Sequence, residues 1–238
     1  MKIAVCISGQ PRCVDLAYPF IKKNILDVAH AHVFCHTWWN SETEKFPEIS
    51  IYKPKAMLIE SPITPDLSKY TRVPPPQPNW NIKNPALATY CQLYSIKKAN
   101  DLKRRYEKNN NMKFDWVIRT RFDFALNGSI PYAALDNSKL YIPNCRMTPS
   151  RDFGNDQFAF SSSENMDKYS EAFMHIDKFY DAGTVMIGEE MMSANWKMHN
   201  LVGENLLYVD MNHPFPPGKY NGTPHSLIRE DMEHWQKY

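Results

Sequence analysis

Short apolar runs alternate along the chain with stretches in which apolar residues recur every three or four positions, the pattern of an α/β domain built on a largely parallel sheet. Residues 3–7 read as a buried first strand. The chain then turns at Ser8-Gly9-Gln10-Pro11-Arg12 and enters a segment where Tyr18, Ile21, Ile25 and Val28 mark one helix face. Residues 31–36 and 55–60 supply the second and third strands. Two strands joined by a helix-sized crossover open many nucleotide-binding folds, but the arrangement carries no chemistry by itself.

Val73-Pro74-Pro75-Pro76-Gln77-Pro78 interrupts the pattern, because proline lacks the amide proton and fixes φ; an extended surface connector is expected. Asn84-Pro85 then reads as a cap and first-turn proline of a long helix. Its apolar stripe is Leu87, Cys91, Tyr94, Leu102 and Tyr106, and Lys97, Lys98, Lys103, Arg104 and Arg105 are expected on a solvated face. Residues 114–125 begin as a buried strand. Extending its period of two puts Val117, Arg119, Arg121 and Asp123 in one row at the strand's carboxyl end, the edge where ligands collect in open α/β sheets.

Further on, residues 139–142 and 157–160 are short strand candidates. Ser161 to Glu164 resembles a capping box ahead of Met166, Tyr169, Phe173, Ile176 and Tyr180, with Gly183 as the stop. Glu189 and Glu190 open another helix through Met192, Trp196 and His199, and residues 206–210 form a last strand. Neither an internal repeat nor a dividing linker is legible, so one domain is expected.

Composition narrows the classes. With 238 residues, 43% hydrophobic and 23% charged, the chain has the balance of a globular domain rather than a fibre or a disordered tail. The formal charge of +2 is too small for a binder of nucleic acid, whose affinity rests on clustered Lys and Arg. Cys6, Cys13, Cys35, Cys91 and Cys145 are scattered and odd in number, which fits a reducing compartment better than a disulfide framework or a zinc knuckle. No transmembrane segment and no signal peptide are read, so a cytoplasmic location is expected. The sequons at Asn127 and Asn221 are then ordinary turns.

The chemistry concentrates in Arg119-Thr120-Arg121-Phe122-Asp123. Guanidinium groups pair with phosphate oxygens, and a carboxylate beside them holds a divalent cation bridging the same oxygens. The plainer alternative is a half-buried Arg–Asp salt bridge. Asp156 precedes the apolar Phe158-Ala159-Phe160, where partial burial raises a carboxyl toward a working base; its alternative is a turn aspartate. Glu189 and Glu190 are either acceptor-side acids or charges placed for the helix dipole. His36-Thr37-Trp38-Trp39 offers stacking surfaces for a base or sugar.

Ile7-Ser8-Gly9-Gln10-Pro11-Arg12, Arg119 to Asp123, Gly154-Asn155-Asp156-Gln157-Phe158-Ala159-Phe160 and the Glu189-Glu190 pair, in that order, resemble the GT-A type glycosyltransferases. They resemble especially small viral and bacterial sugar transferases related to the WavE-like lipopolysaccharide synthesis proteins. The resemblance implies a single GT-A-like domain with a mixed, mostly parallel sheet flanked by helices. Residues 1–126 would hold the nucleotide sugar and residues 127–238 the carbohydrate acceptor. It implies transfer of a hexose or pentose from a nucleotide diphosphate sugar in glycan or polysaccharide synthesis, in the cytoplasm, or in a host's cytoplasm for a viral chain. Ser8, Gly9 and Gln10 would shape the nucleotide pocket, and Arg12, Arg119 and Arg121 would contact its phosphates. Asp156, Glu189 and Glu190 would be the catalytic carboxylates. Mn2+ or Mg2+ would sit at Asp123, with His213 as a further ligand. One departure stands out: Arg121-Phe122-Asp123 keeps only the last aspartate of a DxD motif, so that Arg121 is placed to supply charge a cation otherwise provides. Two other functions share these features: a non-catalytic carbohydrate-binding relative and a metal-dependent nucleotidyltransferase.

Overall fold

The fold comes from a computed structural model, which describes residues 1–40, 48–72, 84–126, 128–143, 156–202, 206–209 and 225–227. The proline-rich segment 73–78, Cys145, Gly154, Asn155, His213 and both sequon asparagines lie outside the described residues.

Strand β1 (Ile3–Gly9) is the hub. It pairs in parallel with β2 (His32–Trp38) on one side and with β4 (Trp116–Thr120) on the other, and β2 carries β3 (Ala56–Glu60) in parallel at the edge. Beyond β4 come β7 (Ala159–Ser161), antiparallel to its neighbours, then β6 (Leu140–Pro143) and β8 (Leu206–Val209). The seven-stranded order is β3-β2-β1-β4-β7-β6-β8, a mixed and mostly parallel α/β sheet. A separate ribbon pairs β5 (Phe124–Leu126) with β9 (His225–Leu227).

Alternation along the strands builds two cores. Ile3, Val5 and Ile7 point to the face that also holds Trp116, Ile118 and Phe160. That face is covered by α1 (Val14–Ile21), which runs through a π turn at Lys22–Leu26 into α2 (Asp27–Ala29). Ile21 and Ile25 are buried as the spacing predicts, whereas Val28 at the frayed end is 49% exposed. Ala4, Cys6, Phe34 and Val117 point to the opposite face, under α3 (Pro85–Asn109), α4 (Ser163–Tyr169), α5 (Ile176–Asp181) and α6 (Gly188–Met198).

Three details depart from the sequence pattern. In α3 the Asn84 side chain caps Leu87 N–H as expected, but the buried stripe runs through Thr89, Leu93, Ile96, Ala99 and Lys103, leaving Leu87, Cys91 and Tyr94 on its flank. Lys103 is completely buried rather than solvated. Its ammonium meets Asp167 at 2.7 Å, Ser163 Oγ at 2.6 Å and Glu107 at 3.2 Å, so three partners replace the water it loses. The helical stretch after β7 is broken: α4 passes through a 3-10 segment, Ser170–His175, before α5, and its cap is Ser162 accepting from Asn165 N–H. Gly183, at φ +104°, ends α5 in the left-handed conformation that glycine adopts without strain.

Candidate active site

The parallel strands β1, β2, β3 and β4 end on one edge of the sheet, at Gly9, Trp38, Glu60 and Thr120. The chain leaves β1 for β2 on one side and returns to β4 on the other, so the crevice outside these two carboxyl ends is a topological switch point. Gly9 lies there at φ +115°. Its N–H donates to Ser95 Oγ at 2.8 Å, and its carbonyl accepts from Thr37 Oγ1 at 2.9 Å. Ser8 Oγ is buried with no partner among the described residues. Gln10 and Arg12 are exposed and hydrogen-bonded to each other.

The row predicted from Arg119 to Asp123 does not form, because β4 stops at Thr120 and the next residues turn. That turn folds Asp123 back on Arg121: Nε and Nη2 donate to the two carboxylate oxygens at 2.8 Å each. Asp123 is 2% exposed, so the salt-bridge reading of this pair is the one the geometry realises. Burial works against the Arg121 charge, but the hydrogen bonds and charge of Asp123 outweigh it and hold the guanidinium above its ordinary value. Its side chain keeps 27% of its surface exposed, enough to meet a ligand.

Arg119 has another task. It is 2% exposed, lies on the Val117 side of the sheet, and donates from Nη1 to the main-chain carbonyl of Asp156. Its Nε has no partner among the described residues, and burial lowers the guanidinium's pKa. Buried in this way, it fixes Asp156 and does not present itself to a phosphate.

Asp156 is itself buried, with Oδ2 accepting from Gln92 Nε2 at 2.6 Å. Helix α6 begins directly against it, at Gly188. The next residue, Glu189, is half-buried within electrostatic reach of Asp156 and Arg121. Burial and then the Asp156 charge push its carboxyl up to about 7, with the Glu190 charge adding and Arg121 opposing. Glu190 points elsewhere: its Oε2 accepts from Val185 N–H at 3.1 Å and holds the turn before the helix.

A cation at Asp123 does not fit the described donor set. Both carboxylate oxygens are taken by Arg121, and His213 lies outside the described residues. Among those residues, the group of three His, Cys, Asp or Glu side chains spaced for an ion is Glu171, His175 and His199, remote from Asp123 in sequence. The aromatic run at the end of β2 also departs from expectation. His36 and Thr37 are fully buried and Trp38 is 5% exposed, so they are not open stacking surfaces. His36 is instead held between Ser95 Oγ and Glu60, at 2.7 Å from each.

Residues 1–166 match the model of a family described as Domain of unknown function (DUF7796). The chain belongs to this family. The match takes in Arg119, Arg121, Asp123 and Asp156 and ends before Glu189. No curated protein matches the sequence. Among solved structures, the chain is similar to one titled "Crystal structure of a glycosyltransferase involved in the glycosylation of the major capsid of PBCV-1". That similarity has 11% identity and a TM-score of 0.42, over 88% of this chain and 82% of the other.

Sequence reasoning missed Gln92 and Gly188. Gln92 lies in the middle of α3 with nothing in its spacing to mark it, and Gly188 was hidden beside the more conspicuous glutamates. A glycine at the first position of a helix, where Ser, Thr, Asp or Asn commonly stands just before, was the available signal of a close approach.

Proposed function

We propose that this protein transfers a sugar from a nucleotide diphosphate sugar to a hydroxyl of a carbohydrate acceptor, with Glu189 as the general base. The observation that carries this reading is a carboxyl held up to about 7 within electrostatic reach of the Arg121 guanidinium, beside the carboxyl ends of β1 and β4. Glycosyl transfer by direct displacement needs those two functions together: a base on the attacking hydroxyl and positive charge on the departing diphosphate. The order of motifs shared with GT-A type glycosyltransferases supports the same reading.

In the step itself, the acceptor hydroxyl oxygen forms a bond to the anomeric carbon while the bond from that carbon to the diphosphate oxygen breaks. The bonding pair leaves with the nucleoside diphosphate, and the hydroxyl proton passes to Glu189. Near neutral pH a base of this pKa is substantially ionised and strong enough to accept the proton. Arg121 stabilises the leaving diphosphate through charge-assisted hydrogen bonds. Gly9 and Ser8 form the floor against which the nucleotide lies, with Gln10 and Arg12 at its rim.

Arg119, Gln92 and Asp156 are positioning residues in this account. Arg119 fixes the Asp156 backbone, Gln92 fixes its carboxylate, and the Asp156 charge raises Glu189. Glu190 anchors the start of α6. The division into a donor half, residues 1–126, and an acceptor half, residues 127–238, follows, since Arg121 comes from the first and Glu189 from the second. Manganese or magnesium, where it takes part, arrives with the diphosphate; Arg121 and not a resident ion neutralises Asp123.

The test is acceptor-dependent release of nucleoside diphosphate from a panel of nucleotide sugars. Pyrophosphate release would instead mark a nucleotidyltransferase, and donor binding without turnover a carbohydrate-binding relative.

A further inference from the structure

At the far end of α6 from Gly188, a second cluster gathers from two elements. Glu171 and His175 stand four residues apart in the 3-10 segment, and His199 caps the C-terminus of the helix. An eleven-residue helix is about 16 Å long, so this cluster is well separated from Glu189. One ligand atom from each of the three side chains lies within 4.8 Å of the others. His199 Nε2 is 3.1 Å from Glu171 Oε2, yet it is a buried nitrogen without hydrogen-bond alignment to any described partner. The His175 and His199 rings are 6.2 Å apart at 55°, and His175 also rests on the Phe179 ring at 5.8 Å.

We propose that Glu171, His175 and His199 form a binding site for a zinc-class divalent metal ion. Two imidazoles and a carboxylate are the donor types such ions take, and three protein ligands leave a fourth position for water. Bonds of about 2.0–2.1 Å at tetrahedral angles separate ligand atoms by roughly 3.4 Å. The Glu171–His199 edge is already that short, at 3.1 Å, and the His175 ligand atom lies within 4.8 Å of both.

The charges facing His199 agree with a ligand's role. Burial lowers its pKa and Glu171 opposes this, while His175, Lys168 and Lys178 add to the lowering. A metal takes the lone pair of the neutral imidazole, so these charges favour the form that binds. Lys168 is engaged by Glu164 at 2.8 Å and the Lys178 ammonium contacts Met198 Sδ at 3.4 Å, so neither blocks the carboxylate. A bound ion would fasten the end of α6 to the 3-10 segment, a structural task independent of sugar transfer.

The test titrates the full chain, first stripped by a chelator, with Zn2+ in a calorimeter at pH 7.5, and with Co2+ followed by its visible absorption. The expected result is one tight equivalent, a tetrahedral-type Co2+ spectrum and a rise in the thermal midpoint that the chelator reverses. Glu171→Gln, His175→Ala and His199→Ala should each weaken binding at least tenfold. Glu171 is 38% exposed on its side chain, so its variant folds without relying on the site. Absence of a stoichiometric Zn2+ event, or binding that Glu171→Gln and His175→Ala leave unchanged, would overturn the proposal.

Discussion

Gly188 leaves no room for a side chain beside Asp156: a Cβ at position 188 would stand 2.2 Å from Asp156 Oδ2 and 2.8 Å from Gln92 Oε1. The start of α6 is thereby pressed onto the carboxylate that raises Glu189. Gly188→Ala is expected to push the Asp156 and Gln92 side chains apart at a cost of about 1–3 kcal/mol. Turnover should fall at least tenfold in protein that remains folded. Thermal unfolding and steady-state kinetics on the same preparation check this, and a variant with lowered stability but full turnover would contradict it.

Glu189 makes stability depend on pH in a direction that can be worked out. Its folded-state pKa is raised from 4.5 to about 7, so between these values the folded protein binds more protons than the unfolded chain. The contribution of this group to stability therefore falls as pH rises from 4.5 through 7. Glu189→Gln should unfold at a higher urea concentration than the wild type at about pH 8 and at the same concentration at about pH 4. A difference that is the same at both pH values would show that Glu189 is not perturbed.

Lys103 is the buried cation whose removal should cost most. In Lys103→Ala, Asp167 and the almost fully buried Glu107 lose their buried cation and keep the exposed Lys113, at 3.7 and 3.0 Å, with Arg104 also near Asp167, a loss of up to roughly 3–5 kcal/mol. Urea unfolding measures it directly. Burial alone would raise the Glu107 carboxyl, but Ser163, Phe114 N–H and Lys103 more than reverse this and hold it below its ordinary 4.5. Its contribution is present above that value and disappears as pH falls through the folded-state pKa.

Asp123→Asn should act on stability and not on metal response. Both oxygens of Asp123 serve Arg121, so the substitution weakens a buried pair, by up to about 3–5 kcal/mol, and frees the guanidinium. Any stimulation of transfer by manganese should be the same in variant and wild type. A stimulation lost in the variant would place a metal ion at Asp123 after all.

The sheet was largely legible because each of its strands is short, apolar and flanked by turn residues; β1 and β2 lie within about two residues of their predicted ends. The helices were harder. Lys103 sits on the buried stripe of α3, and a single charged residue gives no hint that Glu107, Ser163 and Asp167 will gather round it. The relations among the candidate site residues were not legible in the sequence. A period of two extended past Thr120 aligned Arg121 and Asp123 with Arg119, whereas the turn pairs the first two and buries the third. Which of Glu189 and Glu190 faces the crevice depends on a rotation about the α6 axis, fixed by Gly188 against Asp156 and by Glu190 against Val185, both contacts invisible in the sequence.

The most direct measurement is the release of nucleoside diphosphate from nucleotide sugars in the presence of saccharide acceptors, by wild type and Glu189→Gln side by side, with donor affinity determined separately. Wild-type turnover should depend on acceptor and rise with pH through about 7, following ionisation of Glu189. The variant should lose about a hundredfold or more in turnover while binding donor about as well, since a base acts in the transition state and not in holding the ground state. Equal turnover in the two proteins, or a donor that binds and is never turned over, would contradict the account.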